Sequence, residues 1–284
     1  MQFFFRYFIA IPILALEEKH AGLSTIQFGL IVLSCILIAA GGYVINDIED
    51  VGIDRINKPE KTYVGTNIKI NTAYSLYLAL TFTGIAIGFY LSFASGIRYV
   101  GVIDLVVAGL LYFYSTSYKC IPLIGNIIVA LIAGLSVAIV VLPEAVMMND
   151  GPVLVFCTGY AFFAFLMTFI RELLKDIEDL EGDDAHGCKT LPAIAGTKTV
   201  KVIAFLLSVL SIIIIAKIQW STKQWDNIVP FTFITALIQL PLLWLSIQII
   251  KAHDKKGFHA CGNLSKLIMF TGIISMFVFY FSFR

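Results

Sequence analysis

Leu30-Ile31-Val32-Leu33-Ser34-Cys35-Ile36-Leu37-Ile38-Ala39-Ala40-Gly41-Gly42-Tyr43-Val44-Ile45 runs without a charge straight into Asn46-Asp47-Ile48-Glu49-Asp50-Val51-Gly52-Ile53-Asp54. An apolar stretch of this kind, extended upstream by Ile26 to Gly29, approaches the ~20 residues that a bilayer-spanning helix needs. The rest of the chain repeats the theme. Of 284 residues 59% are hydrophobic and 14% charged, against about half apolar and a quarter charged in a soluble domain. Nine apolar stretches are read as spans, at 3–16, 26–45, 73–93, 99–115, 124–142, 153–174, 200–218, 228–250 and 264–283. Backbone groups in lipid must be satisfied within their own segment, which selects helices over strands. The expected fold is an all-α integral membrane protein, a bundle of nine transmembrane helices around a central cavity opening to the cytoplasmic face. It is expected to form a single domain, 1–284, built as two helical pseudo-repeats at roughly 1–142 and 143–284.

The opening MQFFFRYFIAIPILAL has no basic leader or small-residue cleavage site, so it reads as a short first span and not as a removable signal peptide. With alternating spans, the loop 46–72 shares a side with the N-terminus and with the loops after spans four, six and eight. Fifteen lysines and arginines then fall on that side and five on the other, which the positive-inside rule assigns to the cytoplasm. Net charge is +1, which supplies no global field for nucleic acid. No obligate protein partner is evident. Cys35, Cys120, Cys157, Cys188 and Cys261 are scattered without a CxxC pair, so neither a disulfide framework nor a zinc site is expected.

The sequence around Asp50 returns after span six as Lys175-Asp176-Ile177-Glu178-Asp179-Leu180-Glu181-Gly182-Asp183. Both copies read D-I-E-D-x-x-x-D. Aspartates at i, i+3 and i+7 share one face if the helix continues out of the membrane. Four spans separate the copies, so both emerge on the same side, where one cavity can hold both. Six facing carboxylates repel one another unless cations neutralise them. Oxygen ligands without His or Cys favour magnesium or calcium, and Mg²⁺ typically takes one or two carboxylates and leaves its other positions to water and phosphate oxygens. The implied ligand is a diphosphate. Such a leaving group needs positive charge, and Arg55, Lys58, Lys61, Lys119, Arg171, Lys175 and Lys189 lie in or beside these loops. An ordinary solvated acidic loop is the bland reading of one motif; two matched copies on one side argue against it.

At these residues the chain resembles the UbiA superfamily of intramembrane prenyltransferases, whose pattern is NDxxDxxxD in one loop and DxxxD in another. The first matches at Asn46, Asp47, Asp50 and Asp54, the second at Asp179 and Asp183 after Asp176. Tyr114-Ser115 through Lys119 to Gly125-Asn126 is similar to the family's Tyr-Ser and Lys segment after the fourth helix. The resemblance implies a metal–diphosphate site on Asn46, Asp50, Asp54, Asp179 and Asp183, with Lys119 and neighbouring cations on the phosphates. Arg171-Glu172 leading into the second motif resembles the branch that geranylgeranylates geranylgeranylglycerol phosphate in ether-lipid synthesis. Relatives that prenylate aromatic acceptors carry a similar stretch, so that alternative stays open.

The expected reaction is Mg²⁺-dependent prenyl transfer from an isoprenyl diphosphate to a lipophilic acceptor within membrane lipid. Lys119, Arg171 and Lys175 are the expected catalytic cations, with Asp47 or Asp176 as the proton acceptor. Tyr114, Lys119, Arg55, Lys61, Asn126 and Lys189 are expected to bind substrate. Tyr43, Tyr112, Tyr118 and Phe169 join Tyr114 as aromatics that could face an allylic cation. His186 reads as a solvated loop residue, and Asp104 as an acid reached by water at the outer end of its span. A cation transporter is the rival class; the acids, however, cluster at one face and no polar path crosses the bilayer.

Overall fold

The computed structural model describes residues 1–57, 60, 62–94, 96–97, 99–221 and 227–282. Among them the only extended pairing is an isolated bridge between Val64 and Ile68; the remainder is helix and connection. In chain order the helices are α1 (Gln2–Leu16), α2 (Thr25–Glu49), α3 (Val51–Asn57) and α4 (Ile70–Ala94). Next come α5 (Val100–Tyr118), α6 (Ile124–Ala138), α7 (Ala145–Met148), α8 (Gly151–Glu178), α9 (Leu180–Ala185) and α10 (Leu191–Ala195). The last three are α11 (Thr197–Ser221), α12 (Ile228–Lys251) and α13 (Lys255–Ser282).

Seven of these, α2, α4, α5, α8, α11, α12 and α13, are long and apolar enough to cross a membrane, while α1 and α6 are shorter apolar helices in the places of the first and fifth expected spans. The α6 helix stops at Ala138, and turns occupy 139–143. Local chemistry sets several ends. Ser24 and Gln27 form a reciprocal capping box at the start of α2, and the Asp150 carboxylate accepts from the Val153 N–H at 2.9 Å to begin α8; both satisfy amides that have no partner in the first helical turn.

α8 is the central helix, packed against α6, α11 and α13, while α2 packs along α4 and α5. A methyl group on Gly41 would collide with the Thr81 hydroxyl, so the glycine is what lets α2 and α4 approach. The outward faces carry large apolar side chains, among them Phe82, Phe93, Leu206, Ile213 and Leu243. Exposed apolar surface on this scale belongs against lipid. The chain is an integral membrane protein.

The end opposite the aspartate motifs is tied by a buried ion pair. Arg6 pairs with Glu144 and donates to the Leu23 carbonyl at 2.7 Å, while Glu144 accepts from the Gly22 N–H at 2.8 Å. The Arg6 guanidinium also lies over the Phe28 ring, 4.7 Å from its centroid. This corrects the charge count, since Arg6 was grouped with the motif side and lies with the loops of the other side. One cation thereby moves from the motif side to the other. The cause is depth: Gln2 already lines an internal cavity beside Cys35 and Asp104, so α1 starts within the bundle. Asp104 is itself buried, 2% exposed, and packs on Gly88, which corrects the expectation of a water-reached acid.

Candidate active site

Both long helices that carry the motifs stop at the same point of the pattern. α2 ends at Glu49 and α8 at Glu178, with Asp50 and Asp179 as the C-terminal capping residues. A short helix resumes after each, α3 and α9. The amides of Asp50 and Asp179 still close on Asn46 at 2.9 Å and Lys175 at 2.8 Å, so the chain turns at the aspartate without losing its last helical bond. The continuous helix expected from the spacing is therefore a helix, a break and a second helix. All six aspartates nonetheless line one polar chamber of about 320 Å³. Asp50, Asp179 and Asp183 are buried, Asp54 and Asp176 half-buried, and Asp47 exposed at the rim.

Lys119 reaches this chamber through an irregular turn. Its amide bonds to the Tyr114 carbonyl at 2.9 Å, five residues back. On an ordinary α-helix residues five apart point about 140° away from each other; the wider π-type turn brings Tyr114 and Lys119 to the same side. Gly125 packs beneath the turn, where a Cβ would stand 3.0 Å from the Tyr118 carbonyl and 3.2 Å from the Lys119 Cα. The Lys119 ammonium pairs with Asp50 Oδ2, which also accepts from the Asn46 amide at 2.7 Å. Across the chamber, the Asn126 amide donates to Asp176 Oδ2 at 2.8 Å, and Arg171 pairs with the buried Glu172 at 2.5 Å. Lys175 completes the cationic lining. Burial pushes the Asp183 carboxyl up to about 6, the nearby Lys119 charge pulls it down, and the carboxylates of Asp179 and Asp50 act with burial.

Two expected cations, Arg55 and Lys189, are not in the lining. Arg55 stands exposed, its guanidinium beside Gly65, because one further step around α3 turns it away from Asp54. Lys189 is exposed while Cys188 and Thr190 line the chamber, as alternation along an extended stretch requires. Lys61, like Lys58, lies outside the described residues. His186 does more than expected of a loop residue, since it packs on Gly52 of the first motif and contacts the Gly182 carbonyl at 3.0 Å. Of the aromatics, Tyr114 and Tyr43 line cavities, whereas Tyr112 stacks on Tyr77, Tyr118 packs on Phe113 and Phe169 on Phe165.

Cys120 and Cys188 form a disulfide with Cα atoms 4.5 Å apart, contrary to the expectation of isolated cysteines. A separation of 68 residues hides such a pairing from sequence spacing. It fastens the Lys119 segment to the stretch that follows Asp183. Glu172 was also not among the expected site residues, although it stands one helical turn before Asp176 and so on the same face.

Among the described residues no three His, Cys, Asp or Glu side chains converge as a ready metal cage. The donor set of carboxylates and amide oxygens around an open chamber instead suits an ion that takes few protein ligands and fills its sphere with water and phosphate oxygens, as Mg²⁺ does. Directly below lies an apolar cavity of about 500 Å³, walled by residues such as Ile38, Val107, Leu111 and Ile132. Asn46, Tyr114, Arg171, Glu172 and Lys175 line both spaces, so the two meet at these five side chains. A further hollow of about 410 Å³ around Trp244, Lys251 and His253 includes no motif aspartate.

Residues 7–273 match the model of the UbiA prenyltransferase family. A protein of Methanosphaera stadtmanae named digeranylgeranylglyceryl phosphate synthase is 31% identical over 244 residues, 85% of this chain and 84% of that protein. The protein of the same name from Saccharolobus solfataricus is 35% identical over 262 residues, 92% of this chain and 84% of that one. In three dimensions the chain is similar to a UbiA homologue from Archaeoglobus fulgidus solved with GPP and Mg²⁺, with a TM-score of 0.59 at 16% identity, covering 96% of this chain and 95% of that one.

Proposed function

This chain belongs to the UbiA prenyltransferase family, and from that premise we propose that it transfers a geranylgeranyl group from its diphosphate to the hydroxyl of geranylgeranylglycerol phosphate, forming an ether lipid. The relatives named digeranylgeranylglyceryl phosphate synthase support this acceptor. The observation that carries the reading is the junction of the two cavities. A carboxylate- and cation-lined chamber opens into an apolar space of about 500 Å³, which fits an amphiphile with an anionic head and a hydrocarbon tail.

In this reading Asn46, Asp50, Asp54, Asp179 and Asp183 hold Mg²⁺, which supplies charge stabilisation for the departing diphosphate. Lys119, Arg171 and Lys175 bind the phosphate oxygens and stabilise the charge that builds as the C–O bond breaks. Asn126 orients Asp176, and the Tyr114 ring faces the allylic carbon. The apolar walls hold the chain and keep water from the cation until the acceptor arrives. The bundle is proposed as one domain of nine membrane helices in two pseudo-repeats, roughly 1–142 and 143–284, with the chamber facing the cytoplasm. The matched helix breaks at Asp50 and Asp179 support the repeat, and the cation bias supports the orientation.

The test is transfer of radiolabelled geranylgeranyl groups by purified protein in detergent with Mg²⁺, offering geranylgeranylglycerol phosphate or an aromatic acceptor. Labelled ether lipid is the expected product. Labelled aromatic product would replace the acceptor, and no transfer by folded protein would reject the reading.

A further inference from the structure

Resting on the reading above, the reaction needs a group that takes a proton at the place where prenyl carbon and acceptor oxygen meet. The chamber holds the charged head of the donor and the apolar cavity its tail, so the allylic carbon between them must sit at the junction. Five side chains line both spaces: Asn46, Tyr114, Arg171, Glu172 and Lys175. Lysine and arginine have no acceptor site for a proton, an amide is a poor base, and a phenol is a donor near neutral pH. Among the described residues Glu172 is the one carboxylate that lines both cavities. The seven other carboxylates of the two linings are separated from the junction, six belonging to the chamber lining alone and Asp104 to the apolar cavity alone.

We propose that Glu172 is the catalytic base that accepts the proton of the acceptor hydroxyl, in place of Asp47 or Asp176. Asp47 is exposed at the rim, and Asp176 is engaged by Asn126 at 2.8 Å; both stay with the diphosphate. Glu172 is 5% exposed and held at 2.5 Å by Arg171, which fixes its carboxylate at the junction of the two cavities. The step balances. The bond from the allylic carbon to the diphosphate oxygen breaks, its electron pair leaving with the diphosphate. A lone pair of the acceptor hydroxyl forms the new C–O bond, and the proton on that oxygen passes to the Glu172 carboxylate. A hydroxyl oxygen that has bonded to a carbocation is strongly acidic, so a carboxylate is basic enough, and the proton has a defined destination in a dry site.

The experiment compares wild type with Glu172→Gln and Glu172→Asp, using Mg²⁺, an isoprenyl diphosphate and two acceptors. One is a glycerol phosphate lipid with an ordinary hydroxyl; the other is its analogue with fluorine on the adjacent carbon, whose hydroxyl ionises more readily. Removal of a general base is expected to slow transfer to the ordinary acceptor by ~10²-fold or more in Glu172→Gln, with a smaller loss in Glu172→Asp. The deficit of Glu172→Gln is expected to shrink on the fluorinated acceptor, while its binding of the isoprenyl diphosphate with Mg²⁺ stays near wild type. Equal losses on both acceptors, or a loss of diphosphate binding, would overturn the proposal and leave Glu172 as a holder of Arg171. Wild-type rates in Glu172→Gln would overturn it as well. If wild type itself transfers to neither hydroxyl, the functional reading fails first and the proposal with it.

Discussion

The Lys119 ammonium and the Asn46 amide both donate to one oxygen of Asp50, Oδ2. A carboxylate so occupied is shared between a protein cation and any metal that enters. In the proposed reading, Mg²⁺ held at Asp50 would leave Lys119 free to turn toward a phosphate.

Lys119→Met is expected to act with opposite signs on the two ligands. Binding of bare Mg²⁺ tightens, because the competing cation is gone, and binding of the diphosphate weakens by about 10- to 100-fold, the worth of one charged hydrogen bond. Calorimetry with Mg²⁺ alone, then with Mg²⁺ and diphosphate, reads both.

Asp50→Ala and Asp179→Ala occupy matched breaks and are expected to be equally damaging, each lowering transfer by about 10²-fold or more with the fold retained. Chelation of Mg²⁺ should abolish wild-type turnover, and added Mg²⁺ should restore it. A mutant that keeps full activity would remove its aspartate from the metal site.

Gly125→Ala places a methyl 3.0 Å from a backbone carbonyl that cannot rotate away. It is expected to cost about 1–3 kcal/mol of stability, in the range of overpacking. Diphosphate affinity should fall with it, since the turn carrying Tyr114 and Lys119 must shift. Thermal denaturation and a binding titration measure the two effects.

Breaking the buried Arg6–Glu144 pair through Glu144→Ala is expected to destabilise by about 3–5 kcal/mol. The double variant Arg6→Met/Glu144→Leu should recover most of it. Denaturation midpoints in detergent check this, and activity per folded molecule should change little, because the pair lies at the end opposite the chamber.

Alkylation of unreduced, denatured protein is expected to modify three cysteines, Cys35, Cys157 and Cys261, and all five after reduction. Cys120→Ser/Cys188→Ser should lower stability by at most about 4 kcal/mol, the chain-entropy limit for a loop of this length. Intact mass and denaturation give the answers.

What could be read beforehand and what could not divide along physical lines. The apolar run before Asp47 foretold α2 as 26–45 against the observed Thr25–Glu49, because hydrophobicity decides a membrane span locally. The echo of D-I-E-D foretold that Asp50 and Asp179 share a chamber, since an even number of intervening spans returns the chain to the same side. Neither pattern could show that both helices break at those aspartates. Arg6 with Glu144 and Cys120 with Cys188 are contacts between distant segments, set by packing alone. Arg55 and Lys189 were misplaced for a simpler reason: nearness in sequence fixes the loop, and the direction of the side chain decides whether it reaches the chamber. Glu172 was legible in principle, one turn before Asp176.

The apolar cavity has a kinetic consequence. In the proposed reading, a substrate whose tail is seated among Ile38, Val107 and Leu111 would exchange a lipid environment for a protein one. The concentration that drives such a reaction is the mole fraction of substrate in the two-dimensional solvent of the bilayer. Adding inert lipid at constant total substrate should slow the enzyme, just as adding buffer slows a soluble one, while diluting the whole vesicle suspension should leave turnover unchanged.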